Sequence, residues 1–149
     1  MKKILYVDMD NVLVDFPSAF PLISEEVKAK YDDKLDEVPG IFSLMKPKEG
    51  AILAFAQLAS LFDTYILSTA PWNNPSAWSD KIEWVQKHLG EPAHKRLILS
   101  HHKNLNKGDF LIDDRLKNGV DKFSGEHIHF GQAPFNDWAS AVSYLIAKK

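Results

Sequence analysis

Ile4-Leu5-Tyr6-Val7-Asp8-Met9-Asp10-Asn11 is the stretch on which the fold turns. Four consecutive apolar residues give way to two carboxylates with one residue between them. A short, unbroken apolar run suits a strand buried on both faces, as in a parallel sheet. Tyr65-Ile66-Leu67, Leu97-Ile98-Leu99 and Phe110-Leu111-Ile112 have the same form, and His127-Ile128-His129-Phe130 is a weaker fifth. The four clear runs all lead into polar residues. The first ends in Asp8 to Asn11, the second in Ser68-Thr69, and the third runs out through Ser100 to Lys103. The fourth ends in Asp113-Asp114-Arg115.

Helical patterns separate these strands. Residues 49–62 carry Ile52, Phe55, Ala56, Ala59 and Phe62 on one expected face. Trp78, Ile82, Val85 and Leu89 repeat at helical spacing, with Asn74-Pro75 as a start and Gly90 with Pro92 as a stop. Trp138, Ala141, Val142 and Leu145 mark a final helix capped by Asn136 or Asp137. Strands alternating with helices predict a Rossmann-like α/β domain, a central parallel sheet with helices on both faces and right-handed crossovers. Residues 17–47 break the alternation with Pro17, Pro21, Pro39-Gly40 and a charged stretch from Glu25 to Glu37; within them 22–31 reads as helix. The expected organisation is a core of residues 1–16 and 48–149, with 17–47 as a small helical cap inserted after the first strand.

Composition narrows the class. The 149 residues are 45% hydrophobic and 26% charged, the balance of one globular domain able to bury a core. There is no cysteine, which excludes disulfides, thiolate metal sites and a cysteine nucleophile. A net charge of −2 shows no basic face of the kind a nucleic-acid polymer needs, while a mononucleotide or other small anion remains compatible. The apolar run after Lys2-Lys3 stops after four residues, too short for the ~7–15 of a signal core. No run approaches the ~20 residues that span a bilayer. A cytoplasmic protein with no membrane partner is expected, and monomer and homodimer both stay open.

In an open parallel sheet, ligands bind beyond the carboxyl ends of the strands. The four polar strand ends are therefore expected to meet at one site. Several carboxylates crowded there need a cation to be stable together, and an all-oxygen donor set favours a hard ion, Mg²⁺. A serine hydroxyl and a lysine ammonium beside it suit a phosphoryl group. Lys107 lies near Lys103 and is the alternative lysine.

Asp8-Met9-Asp10, then Ser68, then Lys103, then Asp113-Asp114, each after a buried strand, resemble in order the four motifs of the haloacid-dehalogenase (HAD) superfamily. The resemblance spans nearly the whole chain outside the insertion. It implies an Mg²⁺-dependent phosphomonoesterase in which Asp8 is nucleophile and metal ligand. Asp10 would be general acid and then base, with its carbonyl on the metal. Ser68 would bind the phosphoryl group, Lys103 would neutralise charge, Asp114 would be a direct metal ligand, and Asp113 would hold a metal-bound water.

A narrower resemblance is to the 5′(3′)-deoxyribonucleotidases. It rests on the run from Asp8 to Phe16, on Leu111-Ile112-Asp113-Asp114-Arg115, and on Trp84-Val85 to Gly90 and Leu99 to Lys103 between them. It implies a small phosphorylated substrate, a nucleotide, with Asn11, Phe16, Thr69 and Arg115 near it. Asn11 stands where that family has glycine, and the insertion is shorter than in vertebrate members. A phosphatase for another metabolite such as a sugar phosphate, a phosphotransferase and a non-catalytic effector-binding module are the alternatives. Phe16, Phe42 and Trp72 either line a base pocket or serve the core. His101-His102 and His127-x-His129 read as surface histidines rather than metal ligands.

Overall fold

The computed structural model describes residues 1–149. Strand β1, Ile4–Val7, leads to β2, Val14–Asp15; helix α1, Glu25–Tyr31, follows, and then β3, Lys46–Pro47. Next come α2, Ala51–Leu61, β4, Asp63–Ser68, α3, Pro75–His88, and β5, Leu97–Leu99. The chain ends with β6, Phe110–Asp113, β7, Glu126–His129, and α4, Trp138–Ile146.

Five strands form one parallel sheet in the order β5-β4-β1-β6-β7. The chain winds outward from β1 through β4 to β5, then returns to lay β6 and β7 on the other side. The direction reverses between β1 and β6, so a crevice opens beyond their carboxyl ends. Asp8 follows the end of β1 and Asp113 ends β6. The residue types thus deliver carboxylates to the one place in the sheet where a ligand fits.

The sheet buries both faces, unequally. A cluster of 31 buried residues includes Leu5, Val7, Ile66 and Ile112 with side chains from α2, α3 and α4. Tyr6, Leu67 and Leu111 point the other way, where Val120 and Phe123 of a 3₁₀ turn cover them. The longer helices α2, α3 and α4 therefore cover one face, and a 3₁₀ turn stands on the other where a helix was expected.

Helix α4 buries Trp138, Ala141, Val142 and Leu145 as expected, whereas α2 and α3 differ from their expected faces by a rotation. In α2 the buried residues are Ala51, Ala54, Phe55 and Leu58, while Ile52 and Leu53 are exposed. In α3 they are Ala77, Lys81, Trp84 and Val85; Ile82, expected inside, is exposed, and Trp78 is half-buried. A wholly buried lysine explains the second error, because a lysine reads as solvent face. Pro75 occupies the first turn of α3, where its missing N–H costs nothing. Asp137 caps α4 in a reciprocal box with Ser140.

Between β2 and β3, which pair antiparallel, the chain leaves the sheet and returns. The intervening segment holds a 3₁₀ helix at Phe16–Leu22, α1 capped by Ser24, and 3₁₀ turns at Leu35–Glu37 and Ile41–Leu44. It is tied to the core by Asn74, whose amide donates to the carbonyls of Asp36 and Val38 at 2.9 and 3.0 Å. The Trp84 indole donates to the Met45 carbonyl at 3.0 Å. No helix is long and apolar enough to cross a membrane.

Candidate active site

Asp8 is buried at the end of β1, and its N–H donates to the Ile112 carbonyl of β6 at 2.9 Å. Past Asp8 the chain folds back tightly. The Met9 carbonyl accepts from the N–H groups of Val12, Leu13 and Val14, and Asn11 adopts φ 62°. Among non-glycine residues asparagine tolerates that left-handed conformation best, which is how it replaces the glycine of the resemblance. The turn brings Asp10 back beside Asp8 and bridges it to Val14.

Lys103 begins a 3₁₀ turn after β5, and its N–H is held by the Asn118 carbonyl at 2.7 Å. Its buried ammonium donates to Asp8 Oδ1 at 3.0 Å and to Asp113 Oδ2 at 2.6 Å. Burial opposes its charge, but the two carboxylates outweigh that and raise its pKa. Lys107 is exposed; its carbonyl accepts from the Tyr6 hydroxyl. Of the two lysines, only Lys103 reaches the carboxylates.

Asp8, Asp113 and Asp114 each offer an oxygen within 4.8 Å of the others. Each Asp113 oxygen has a partner, the second accepting from the Arg115 N–H at 3.0 Å. Asp114 differs: its buried Oδ1 has no hydrogen-bond partner. Burial, then the charge of Asp8, pushes Asp113 up to about 6 and Asp114 up to about 7. When all four carboxylates are ionised, Asp10 included, they face two ammonium groups and leave two negative charges uncompensated. One divalent cation matches that excess, and an orphaned carboxylate oxygen in an all-oxygen donor set gives it a ligand. The residues fit a hard metal ion.

The second ammonium is Lys81, which the sequence did not single out. It has no exposed surface and donates to both oxygens of Asp10, at 3.0 and 3.2 Å, and to Ser68 Oγ at 2.9 Å. The Phe42 ring centroid lies 4.5 Å from it. Phe42 therefore packs beneath the lysine rather than lining a base pocket. Burial raises the pKa of Asp10, with Lys81 pulling the other way and Asp8 adding to the rise. The signal for Lys81 was its place one turn after Ala77 and one before Val85, on the inward stripe of α3.

A cleft of about 670 Å³ opens beside Asp10. Asn11, Phe16, Thr69 and Arg115 all line it, as do the exposed Trp72 and the half-buried His101. Thr69 Oγ1 donates to the Ser100 carbonyl at 2.7 Å, so its hydrogen is committed to joining β4 and β5. Phe16 meets Phe20 and Phe42 edge-on. The inserted segment contributes Asp32, Asp33, Asp36 and Glu37 to the opposite wall, residues read from the sequence only as a solvated face. His127 and His129 also depart from expectation. They are half-buried rather than free on the surface, and each ring nitrogen meets a backbone carbonyl of the acidic pair.

A doubly wound sheet with an Asp-x-Asp turn, a serine, a lysine and an acidic pair at its switch point defines a hydrolase of the haloacid-dehalogenase-like class. In agreement, a haloacid dehalogenase-like family hydrolase from Xanthomonas campestris shares the fold at TM-score 0.61 and 11% identity, over 99% of this chain and 97% of that one. Residues 29–142 match the family model of the 5′ nucleotidase, deoxy (pyrimidine), cytosolic type C proteins. A Vibrio phage KVP40 protein, provisionally named a 5′(3′)-deoxyribonucleotidase, is 58% identical over 99% of this chain and 86% of its own length. The human 5′(3′)-deoxyribonucleotidase, cytosolic type, is 32% identical over 83% of this chain and 77% of its own. The Bacillus subtilis 5′(3′)-deoxyribonucleotidase is 29% identical over 91% and 88%. The chain belongs to this nucleotidase family, whose members are phosphoric monoester hydrolases of the HAD type.

Proposed function

We propose that this protein hydrolyses (deoxy)nucleoside monophosphates through an aspartyl-phosphate on Asp8, with Mg²⁺ held by Asp8, Asp114 and the Asp10 carbonyl. The observation that carries the reading is the cluster of Asp8, Asp113 and Asp114 oxygens within 4.8 Å, one of them buried without a partner, beside the Lys103 ammonium. When bound, the cation supplies charge neutralisation for the phosphoryl oxygens. The substrate class is the one named for the relatives.

The protein's own groups do the rest. An Asp8 oxygen attacks phosphorus as the ester P–O bond breaks. Asp10, kept towards its protonated form by burial, gives its proton to the leaving oxygen. As a carboxylate it then takes a proton from water, whose oxygen attacks phosphorus and releases Asp8 and inorganic phosphate. Ser68 accepts a hydrogen bond from Lys81, which leaves its own O–H free to donate to the phosphoryl group. Lys103 balances charge on Asp8 throughout. Asp113 holds Lys103 and, through a remaining lone pair, would accept from a water on the cation. The inserted segment acts as a cap over the cleft, where Asn11, Phe16, Thr69 and Arg115 contact the substrate and water is excluded from the first step.

The test is phosphate release from a panel of nucleoside monophosphates and sugar phosphates, with Mg²⁺ and with EDTA. Nucleotide turnover that requires Mg²⁺ and gives an acid-stable, hydroxylamine-labile phosphoprotein is expected. A preference for sugar phosphates would reject the substrate, and full turnover in EDTA would reject the metal.

A further inference from the structure

His127 and His129 sit two residues apart on β7, at the edge of the sheet, with side chains on the same face. Their rings stack with centroids 5.1 Å apart. His127 Nε2 lies 2.8 Å from the carbonyl oxygen of Asp113, and His129 Nε2 lies 2.9 Å from that of Asp114. A carbonyl oxygen only accepts, so each Nε2 must carry the hydrogen. This fixes the tautomer of both rings and leaves Nδ1 outside the interaction. A neutral ring with hydrogen on Nε2 is enough to donate such a bond.

What the bonds hold is the place where β6 stops being a strand. The Asp113 carbonyl is the last in the ladder and accepts from the Phe130 N–H at 3.1 Å. Asp114 lies beyond the ladder, and its carbonyl has the His129 ring as its partner. The orientation of peptides 113–115 decides where the orphaned Asp114 carboxylate points and whether Asp113 can reach Lys103.

We propose that His127 and His129 are positioning residues that grip two successive carbonyls of the acidic pair and set its carboxylates for the cation. The proposal rests on the metal reading above. Outer-shell partners of this kind change metal affinity by about tenfold to a hundredfold when lost. Glutamine keeps an N–H donor at nearly the reach of Nε2; leucine keeps bulk and removes the donor.

The experiment measures Mg²⁺ binding by calorimetry on the metal-free wild type and on His129→Leu, His129→Gln, His127→Leu and His127→Gln, with circular dichroism as a check of folding. His129→Leu is expected to bind Mg²⁺ about tenfold or more weakly. His129→Gln should recover most of the loss, and KM for the nucleotide should change less than the Mg²⁺ constant. Long-range ¹H–¹⁵N spectra of the wild type should show both imidazoles as Nε2–H tautomers, a readout that survives even if a leucine variant fails to fold. A folded His129→Leu with wild-type Mg²⁺ affinity, or Nδ1–H tautomers, would overturn this inference alone. A wild type that binds no Mg²⁺ would overturn the metal reading and this inference with it.

Discussion

The Lys81 ammonium lies 3.0 Å from the Asp10 carboxylate and 2.9 Å from the Ser68 hydroxyl, with none of the lysine exposed. This contact joins α3 to the turn after β1 and gives both oxygen groups a direction. It also stabilises the anion that Asp10 becomes after donating its proton, offsetting the burial that raises its pKa. Lys81→Met should therefore lower kcat on nucleotides by about 10²- to 10³-fold with a smaller change in KM. With p-nitrophenyl phosphate, whose leaving group needs no proton, the first step should suffer less. Equal losses on the two substrates in pre-steady-state measurements would argue against a link between Lys81 and proton donation.

Asn11 occupies φ 62° in the turn that returns Asp10 to the site. Glycine adopts that geometry freely but loses more chain entropy on folding, so Asn11→Gly should change stability by less than about 1 kcal/mol and retain turnover. Asn11→Val should destabilise by about 1–2 kcal/mol and lose activity, because a β-branched residue resists a left-handed φ. Urea midpoints and kcat for the pair check this. A valine variant as stable as wild type would show that the turn is not strained.

Much of the arrangement was legible in the sequence because buried parallel strands read as short apolar runs. Ile4–Val7 and Phe110–Asp113 announce themselves, and the polar residues after each run then fall at one end of the sheet. Helix faces were less legible. In α2 Phe55 packs inward as expected, but Ala51, Ala54 and Leu58 join it while Ile52 faces out, so hydrophobicity placed the face a rotation away. Lys81 was missed because a charged residue inside a helix signals solvent unless its partner is known. That partner, Asp10, is 71 residues away in sequence. The two histidines were misread for a related reason, since their partners are backbone carbonyls that no residue pattern reveals.

Asp113 and Asp114 have pKa values of about 6 and about 7, above the ordinary carboxylate value. Between pH 4 and these values the metal-free folded state holds more protons than the unfolded chain, so its stability should fall as pH rises through that window. A cation binds the deprotonated pair and displaces those protons. Calorimetry in buffers of different ionisation enthalpy should show proton release on Mg²⁺ binding at pH 6, declining towards zero above pH 8. The rise in melting temperature caused by Mg²⁺ should be larger at pH 8 than at pH 5.5. Proton release that is constant across this range would place the titrating groups elsewhere.

Asp8 separates chemistry from stability most sharply. Its charge raises the pKa values of Asp10, Asp113 and Asp114, so in the absence of a cation it is a source of repulsion as well as a partner for Lys103. Asp8→Asn removes the nucleophile and that repulsion together, while Lys103 keeps its 2.6 Å bond to Asp113. The variant should turn over at background and, in EDTA at pH 8, melt no lower than wild type. Adding Mg²⁺ should raise its melting temperature less than that of wild type, since one carboxylate ligand has become an amide. Turnover well above background in Asp8→Asn would eliminate the aspartyl-phosphate, and a large fall in its metal-free melting temperature would mean that the ion pair with Lys103 outweighs the crowding of carboxylates.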